Sequence, residues 1–176
     1  LGGAEFSRWQ DATKRDAPSP VPAEPVVVVR ERNLITLQLN DPENRNAMSA
    51  PMRDTLYEAL ANILDDPSNP DVARSLHSCA TALDALGKRA TVKLHGACVG
   101  SGIEIAAAAH KRIATPDAWF QLPELGMGLI PGAGGTATVA RVIGRHRTMW
   151  MLLSGKRIGA AQALDWGLVH AIKAQA

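Results

Sequence analysis

The stretch from His95 to Gly135 constrains this chain more than any other, because two isolated glutamates and most of the glycines fall within it. It reads HGACVGSGIEIAAAAHKRIATPDAWFQLPELGMGLIPGAGG. An apolar run, Thr91 to Leu94, has the composition of a buried strand, and it feeds a turn marked by Gly96, Gly100 and Gly102. The Ala-rich run Ser101 to Ala109 then has the composition of a buried helix. A tight turn that opens directly onto a helix N-terminus presents unpaired backbone N–H groups and a partial positive charge. Such an end can hold a phosphate, a carboxylate or an oxygen that becomes negative during a reaction.

The flanking segments supply a frame for that stretch. Residues 1–25 mix charges with Pro18, Pro20, Pro22 and Pro25 and read as an extended arm or linker. Val26 to Arg30 and Leu34 to Leu39 alternate and are rich in β-branched residues, which predicts a hairpin at the edge of a sheet. Asp41 to Asn46 is a polar turn, and Ser49 with Pro51 predicts an N-cap and helix start for Met52 to Leu64, with Leu56, Leu60, Ile63 and Leu64 on one face. After a loop at Asp65 to Asp71, Ala73 to Leu86 returns to helical spacing, and Gly87 closes it. Strands are predicted at Ala90 to Leu94, Arg112 to Ala114 and Leu168 to Ile172. Helices are predicted at Thr136 to Ile143, Arg147 to Ser154 and Ala160 to Trp166, with Leu125 to Gly135 as a loop. The strand–helix–strand order points to α/β layering.

With 176 residues, 46% apolar and 20% charged, the chain is long enough for one domain with a core. A net charge of +2, scattered basic residues and seven aromatics leave neither a nucleic-acid footprint nor a stacking platform, so small-molecule chemistry fits better. Two cysteines, Cys79 and Cys98, both in apolar surroundings, argue against a disulfide framework and for a reducing, cytoplasmic setting. No apolar run approaches the roughly 20 residues of a membrane span, and the N-terminus has no signal-peptide pattern. The chain begins at Leu1 rather than Met, so residues are expected to precede it.

Glu104 lies about one turn into an otherwise apolar helix, where a carboxylate is costly unless it is hydrogen-bonded, paired or facing a polar cavity. Glu124, between Leu122-Pro123 and Leu125-Gly126, is a second lone acid in an apolar setting. Two such acids can bracket a water, one taking a proton and the other delivering one, if their surroundings separate their proton affinities. The alternative is structural: an ion pair, or a carboxylate answering a helix dipole. Pro131 to Thr136 (PGAGGT) lacks the Lys-Ser/Thr of a phosphate loop and the spacing of a dinucleotide fingerprint, so it reads better as a loop that lets the backbone approach a neighbour. The five histidines show no metal-ligand spacing, so no metal is expected. Cys98 has no identifiable base and reads as a small buried residue. Arg141, Arg145, His146 and Arg147 form a basic cluster that ordinarily is a solvated face.

Together these residues resemble the enoyl-CoA hydratase/isomerase, or crotonase, superfamily. His95-Gly96-x-x-x-Gly100-Ser101-Gly102-x-Glu104 is similar to its G-x-x-x-G-G-G-x-E segment. Phe120-x-x-Pro123-Glu124-x-x-x-Gly128-x-x-Pro131-Gly132-x-Gly134-Gly135-Thr136 is similar to its P-E-x-x-x-G-x-x-P-G-x-G-G-T segment. Leu153 to Ile158 and Ala160 to Val169 are similar to its closing motif, and a weaker match runs from Val27 to Val72. The resemblance implies an α/β fold, a crotonase-like spiral of ββα units over residues 26–176. It implies hydration of a trans-2-enoyl-CoA to a 3-hydroxyacyl-CoA, with coenzyme A as part of the substrate and no separate cofactor. Glu104 and Glu124 match the two catalytic glutamates, twenty positions apart as in the hydratases. Glu104 would help activate the water that adds at Cβ, Glu124 would protonate Cα, and the Ser101 N–H would hold the enolate oxygen. Ser101 replaces the usual middle glycine between Gly100 and Gly102, which a backbone donor tolerates if the turn does not demand positive φ there. Arg45 and Ala47 fall where the family's loop meets the CoA. Isomerisation, hydrolysis or decarboxylation on the same enolate, or a non-catalytic acyl-CoA-binding subunit, are the alternatives.

Two stretches depart from the family pattern. After Val72 the family continues into a strand and a Gly-rich loop that supplies a second oxyanion donor, whereas Ala73 already reads as helix. A helical region that ordinarily follows Ile172 and helps form trimers is also missing. The expectation is that Val72 and Ala73 are not consecutive in the native gene product, and that the protein assembles as a trimer or hexamer.

Overall fold

The computed structural model of the protein describes residues 24–32, 34–44, 46–64 and 76–174. The Pro-rich residues 1–23, Arg45, Val72 and Ala73 lie outside the described residues. Strand β1 (Val26–Glu31) pairs antiparallel with β2 (Leu34–Leu39), in register from Val26↔Leu39 to Glu31↔Leu34. The hairpin was expected to edge a larger sheet. Instead it forms a two-stranded sheet of its own among the described residues, and it buries Val26 against the helices that follow. Asn40 closes its base through its N–H to Pro25 O (2.8 Å) and its side-chain amide to Glu24 O (3.1 Å).

The polar turn is held by Asp41, whose carboxylate accepts from the Asn44 side chain at 3.0 Å and whose N–H donates to Asn46 Oδ1 at 2.7 Å. Ser49 caps the next helix as predicted, its hydroxyl accepting the Met52 N–H at 3.3 Å. Helix α1 (Ala50–Leu64) buries Leu56 and Leu60 of its predicted face together with Met52, whereas Ile63 and Leu64, in its last turn, are only partly buried. Helix α2 (Leu76–Ala85) packs on α1 and buries Cys79, Ala80 and Ala82.

Two ββα turns then stack. The first is β3 (Thr91–Leu94), β4 (Ala97–Val99) and α3 (Ser101–Ala106). The second is β5 (Lys111–Ala114), β6 (Trp119–Gln121), a 3-10 turn at Glu124–Met127, and α4 (Gly135–Ile143). Strand β5 lies parallel to β3 with Thr91↔Lys111, and β6 lies parallel to β4 with Ala97↔Trp119, so each turn of the spiral adds one strand to each of two sheets. The two glutamates follow corresponding strands, β4 and β6, of successive turns. Helix α5 (Arg145–Ser154), β7 (Ile158–Gly159), α6 (Ala160–Asp165) and β8 (Ala171–Ile172) complete the unit. Strand β7 is antiparallel to β6, and β8 is parallel to β5.

Helix α3 separates two apolar clusters. Ile103 and Ala106 belong to the one built on Phe120, Leu122, Val139 and Met151, and Ile105 to the one built on Met52, Leu60 and Cys79. With apolar packing on both flanks, every residue of α3 from Ile103 to Ala106 is buried, and each large side chain such as Ile103 stabilises the fold by about 1.5–3 kcal/mol. The predicted helix Ser101 to Ala109 stops at Ala106, because Ala108 and Ala109 bond three residues back, to Ile105 O and Ala106 O, and tighten the chain into 3-10 turns. The predicted strand Leu168 to Ile172 shrinks to Ala171–Ile172, because Leu168 and Val169 N–H groups both return to Ala163 O.

Arg112 is buried and carries no carboxylate partner among the described residues. Its guanidinium donates to Leu168 O (2.7 Å), Ala107 O (3.5 Å) and Ala109 O, tying the end of α3 to the segment before β8. Burial lowers its proton affinity, and the carbonyl oxygens answer its charge as dipoles. No helix among the described residues is long and apolar enough to cross a membrane.

Candidate active site

The strand β4 delivers the chain to Gly100, which adopts φ 53° and ψ −124° and turns it into α3. That conformation is open to glycine alone. Ser101 is not among the residues with positive φ, so serine is unstrained in place of glycine. The N–H groups of Ser101 and Gly102 begin the helix with no acceptor among the described residues, while those of Ile103 and Glu104 bond to Gly100 O at 3.0 Å. The Ser101 N–H, the group expected to hold the enolate oxygen, therefore has no acceptor among the described residues.

Glu104 is 1% exposed. Its Oε2 accepts the N–H of Ala133 at 3.0 Å and that of Gly135 at 2.8 Å. Gly135 opens α4, so the carboxylate meets the positive end of a helix as well as two donors. Burial raises its proton affinity, and the N–H groups of Gly135 and Ala133 oppose that rise. The PGAGGT loop thus does what its sequence suggested: its backbone closes on a neighbour, and the neighbour is Glu104. Neither donor was legible as a site residue, since both are main-chain groups; the one available signal was a helix start immediately after paired glycines.

Glu124 follows β6 and starts the 3-10 turn. Its Oε1 lies 2.9 Å from where a Cβ on Gly100 would stand, which places the carboxylate directly over the turn that begins α3. Its Oε2 is buried with no hydrogen-bond partner among the described residues. Burial raises its proton affinity, its own backbone N–H lowers it, and the charge on Glu104 raises it again. Gly100, Ser101, Gly102 and Glu104 thus make the first turn of α3, with the Glu124 carboxylate against Gly100 and the Glu104 carboxylate turned to the start of α4. Ala47 sits exposed in the turn before α1, with no described contact to either glutamate, and Arg45 lies outside the described residues.

The two cysteines take no part. Burial pushes the Cys98 thiol up to about 12 and the Cys79 thiol up to about 11, so neither is a thiolate at neutral pH.

Stacked ββα turns, with Glu124 over the open N-terminus of one helix and Glu104 buried one turn into it, define a crotonase-like α/β fold. The crystal structure of an enoyl-CoA hydratase from Thermoplasma volcanium GSS1 superposes with a TM-score of 0.74 at 26% identity, covering 86% of this chain and 72% of that one. An enoyl-CoA hydratase from Mycobacterium avium subsp. paratuberculosis K-10 gives 0.78 at 26% identity, over 87% and 70%. The family description Enoyl-CoA hydratase/isomerase matches residues 76–176, and the chain belongs to that family. It is also 31% identical, over 181 aligned positions, to the fatty acid oxidation complex subunit alpha of Shewanella sp. (strain W3-18-1), an alignment that takes in 83% of this chain and 26% of the relative. The chain therefore spans about a quarter of that relative's length. The alignment has more positions than this chain has residues, so the relative carries residues with no counterpart here.

Proposed function

We propose that the protein hydrates a trans-2-enoyl-CoA to a 3-hydroxyacyl-CoA. The observation that carries this reading is the unequal environment of two neighbouring acids. Two N–H donors and a helix N-terminus favour the ionised form of Glu104, whereas the unpartnered Oε2 of Glu124 favours the protonated form. Glu104 then accepts a proton from water as the water oxygen bonds to Cβ. The electron pair of the double bond moves toward the thioester, whose oxygen becomes negative and meets the Ser101 N–H. Glu124 delivers its proton to Cα, and the two carboxyls return to their resting states by exchange with solvent. One oxyanion donor of this kind is worth about 2.7–4 kcal/mol in the barrier.

The family's position for a CoA-contacting loop falls at Arg45 and Ala47, and the protein needs no cofactor beyond the coenzyme A of its substrate. Exposed apolar side chains next to the site, among them Met127 (62%), Ile130 (76%) and Leu153 (70%), support an assembly of identical chains as a trimer or hexamer. The reading is tested by incubating the protein with crotonyl-CoA and following the product by mass and by proton NMR, which separates double-bond isomers of equal mass. Gain of one water supports it. Saturable binding without turnover would instead favour an acyl-CoA-binding subunit, and a shifted double bond or a released acid would point to another reaction of the enolate.

A further inference from the structure

Helix α3 ends in a way that leaves one buried carbonyl without a backbone partner. The regular α-helical donor for Glu104 O is the Ala108 N–H, but that group bonds to Ile105 O at 3.0 Å, and the Ala107 N–H bonds to Ile103 O at 2.9 Å. The carbonyl of Glu104 is passed over. Thr138, buried in the first turn of α4, fills the position: its hydroxyl lies 2.7 Å from Glu104 O and 3.2 Å from Gly134 O. A hydroxyl has one proton, and the shorter contact takes it, while Gly134 O already accepts the backbone N–H groups of Ala137 and Thr138.

From this geometry we propose that Thr138 is a positioning residue for Glu104. It fixes α4 to the main chain of Glu104 and thereby holds the Ala133 and Gly135 N–H groups on the Glu104 carboxylate. The segment 133–138 then grips Glu104 at three points, two on the side chain and one on the main chain. No part of Thr138 need touch substrate. Its effect on turnover rests on the proposed role of Glu104 as the group that takes a proton from water, but its effect on the Glu104 carboxyl does not.

Loss of the hydroxyl frees α4 to drift, lengthens the two N–H contacts and weakens the support of the ionised form. Burial already raises the proton affinity of Glu104, and weaker donors let it rise further. Among the described residues Glu124 is the titratable group coupled to Glu104, so the two must be followed together.

The test is a carbon-detected NMR titration of the side-chain carboxyls, with Glu104 assigned from its disappearance in Glu104→Gln. It is run on the full chain and on Thr138→Val and Thr138→Ser. Valine keeps the shape and removes the hydroxyl; serine keeps the hydroxyl. The Glu104 midpoint should rise by about half a pH unit or more in Thr138→Val and stay near the wild type in Thr138→Ser. With crotonyl-CoA, Thr138→Val should lower kcat by about tenfold with little change in KM and move the acid limb of the profile to higher pH. A Thr138→Val protein that melts earlier but titrates Glu104 as the wild type does would overturn the proposal, as would an equal shift in Thr138→Ser. If valine does not fold, Thr138→Ala against Thr138→Ser gives the same comparison. A wild type inert toward crotonyl-CoA, with the Glu104 midpoint still moving in the valine variant, would remove the hydratase reading and leave the positioning role standing.

Discussion

Gly135 lies so close to Glu104 that a methyl group on it would stand 2.5 Å from Glu104 Cγ and 2.8 Å from Oε2. The same residue donates its N–H to that carboxylate at 2.8 Å. Glycine is required here by approach rather than by φ, since a side chain would occupy the space the acid fills. Gly135→Ala should therefore displace the Glu104 carboxylate, lower stability by about 1–3 kcal/mol, and reduce turnover by about a hundredfold. Urea unfolding and steady-state kinetics on the same preparation check both halves. An alanine variant with wild-type kcat would show that Glu104 does not need its present position.

The raised proton affinity of Glu124 has a consequence for stability. The ordinary value for a glutamate is 4.5, and burial raises it in the folded protein. Below the unfolded value both states are protonated and the group contributes nothing to pH dependence. As pH rises toward the folded value, the unfolded chain ionises first, so stability falls and stays lower above that value. Glu124→Gln removes this loss. Melting curves should show the variant gaining on the wild type as pH rises from about 4 to about 8; a difference that is constant with pH, or that shrinks, would contradict the assignment.

Arg112 joins three carbonyl oxygens from the end of α3 and the segment before β8. Arg112→Met keeps the apolar stem and leaves those oxygens without their donor. A loss of about 1–3 kcal/mol in urea unfolding is expected, because the unsatisfied carbonyls outweigh the relief of desolvating the guanidinium. Equal or greater stability in the methionine variant would mean that the desolvation cost dominates.

Leu125, Met127, Leu129 and Ile130 after the second glutamate, together with Met149, Trp150 and Leu153 of α5, are all more exposed than large apolar side chains commonly are. Light scattering at micromolar concentration should find a trimer or hexamer, and Ile130→Glu with Leu153→Glu should shift it toward monomer. A monomeric wild type would refute the assembly.

Much of the architecture was readable because the elements obey simple periods. The alternation of Leu34 to Leu39 and the Ser49 cap appear where their spacing places them, and of the predicted helix face Leu56 and Leu60 are buried while Ile63 and Leu64 pack only partly buried beside them. Strands β4 and β6 were not legible, since three residues are too few to show a period and a Gly-rich turn masks the first. Helix α3 was read too long because four successive alanines favour helix locally, whereas the 3-10 turns that end it are set by the packing around them. Glu104 and Glu124 stood out as acids without partners. The groups that grip Glu104 did not, because Ala133 and Gly135 act through N–H groups and Thr138 through a carbonyl that a regular helix would have used itself.

If two acids in unequal surroundings divide one hydration between them, neither can be lost without stopping turnover. Glu104→Gln and Glu124→Gln, made separately and assayed with crotonyl-CoA, should each lower kcat by about two orders of magnitude or more, while crotonyl-CoA still binds. Near wild-type turnover in either variant would rule out a two-acid hydration.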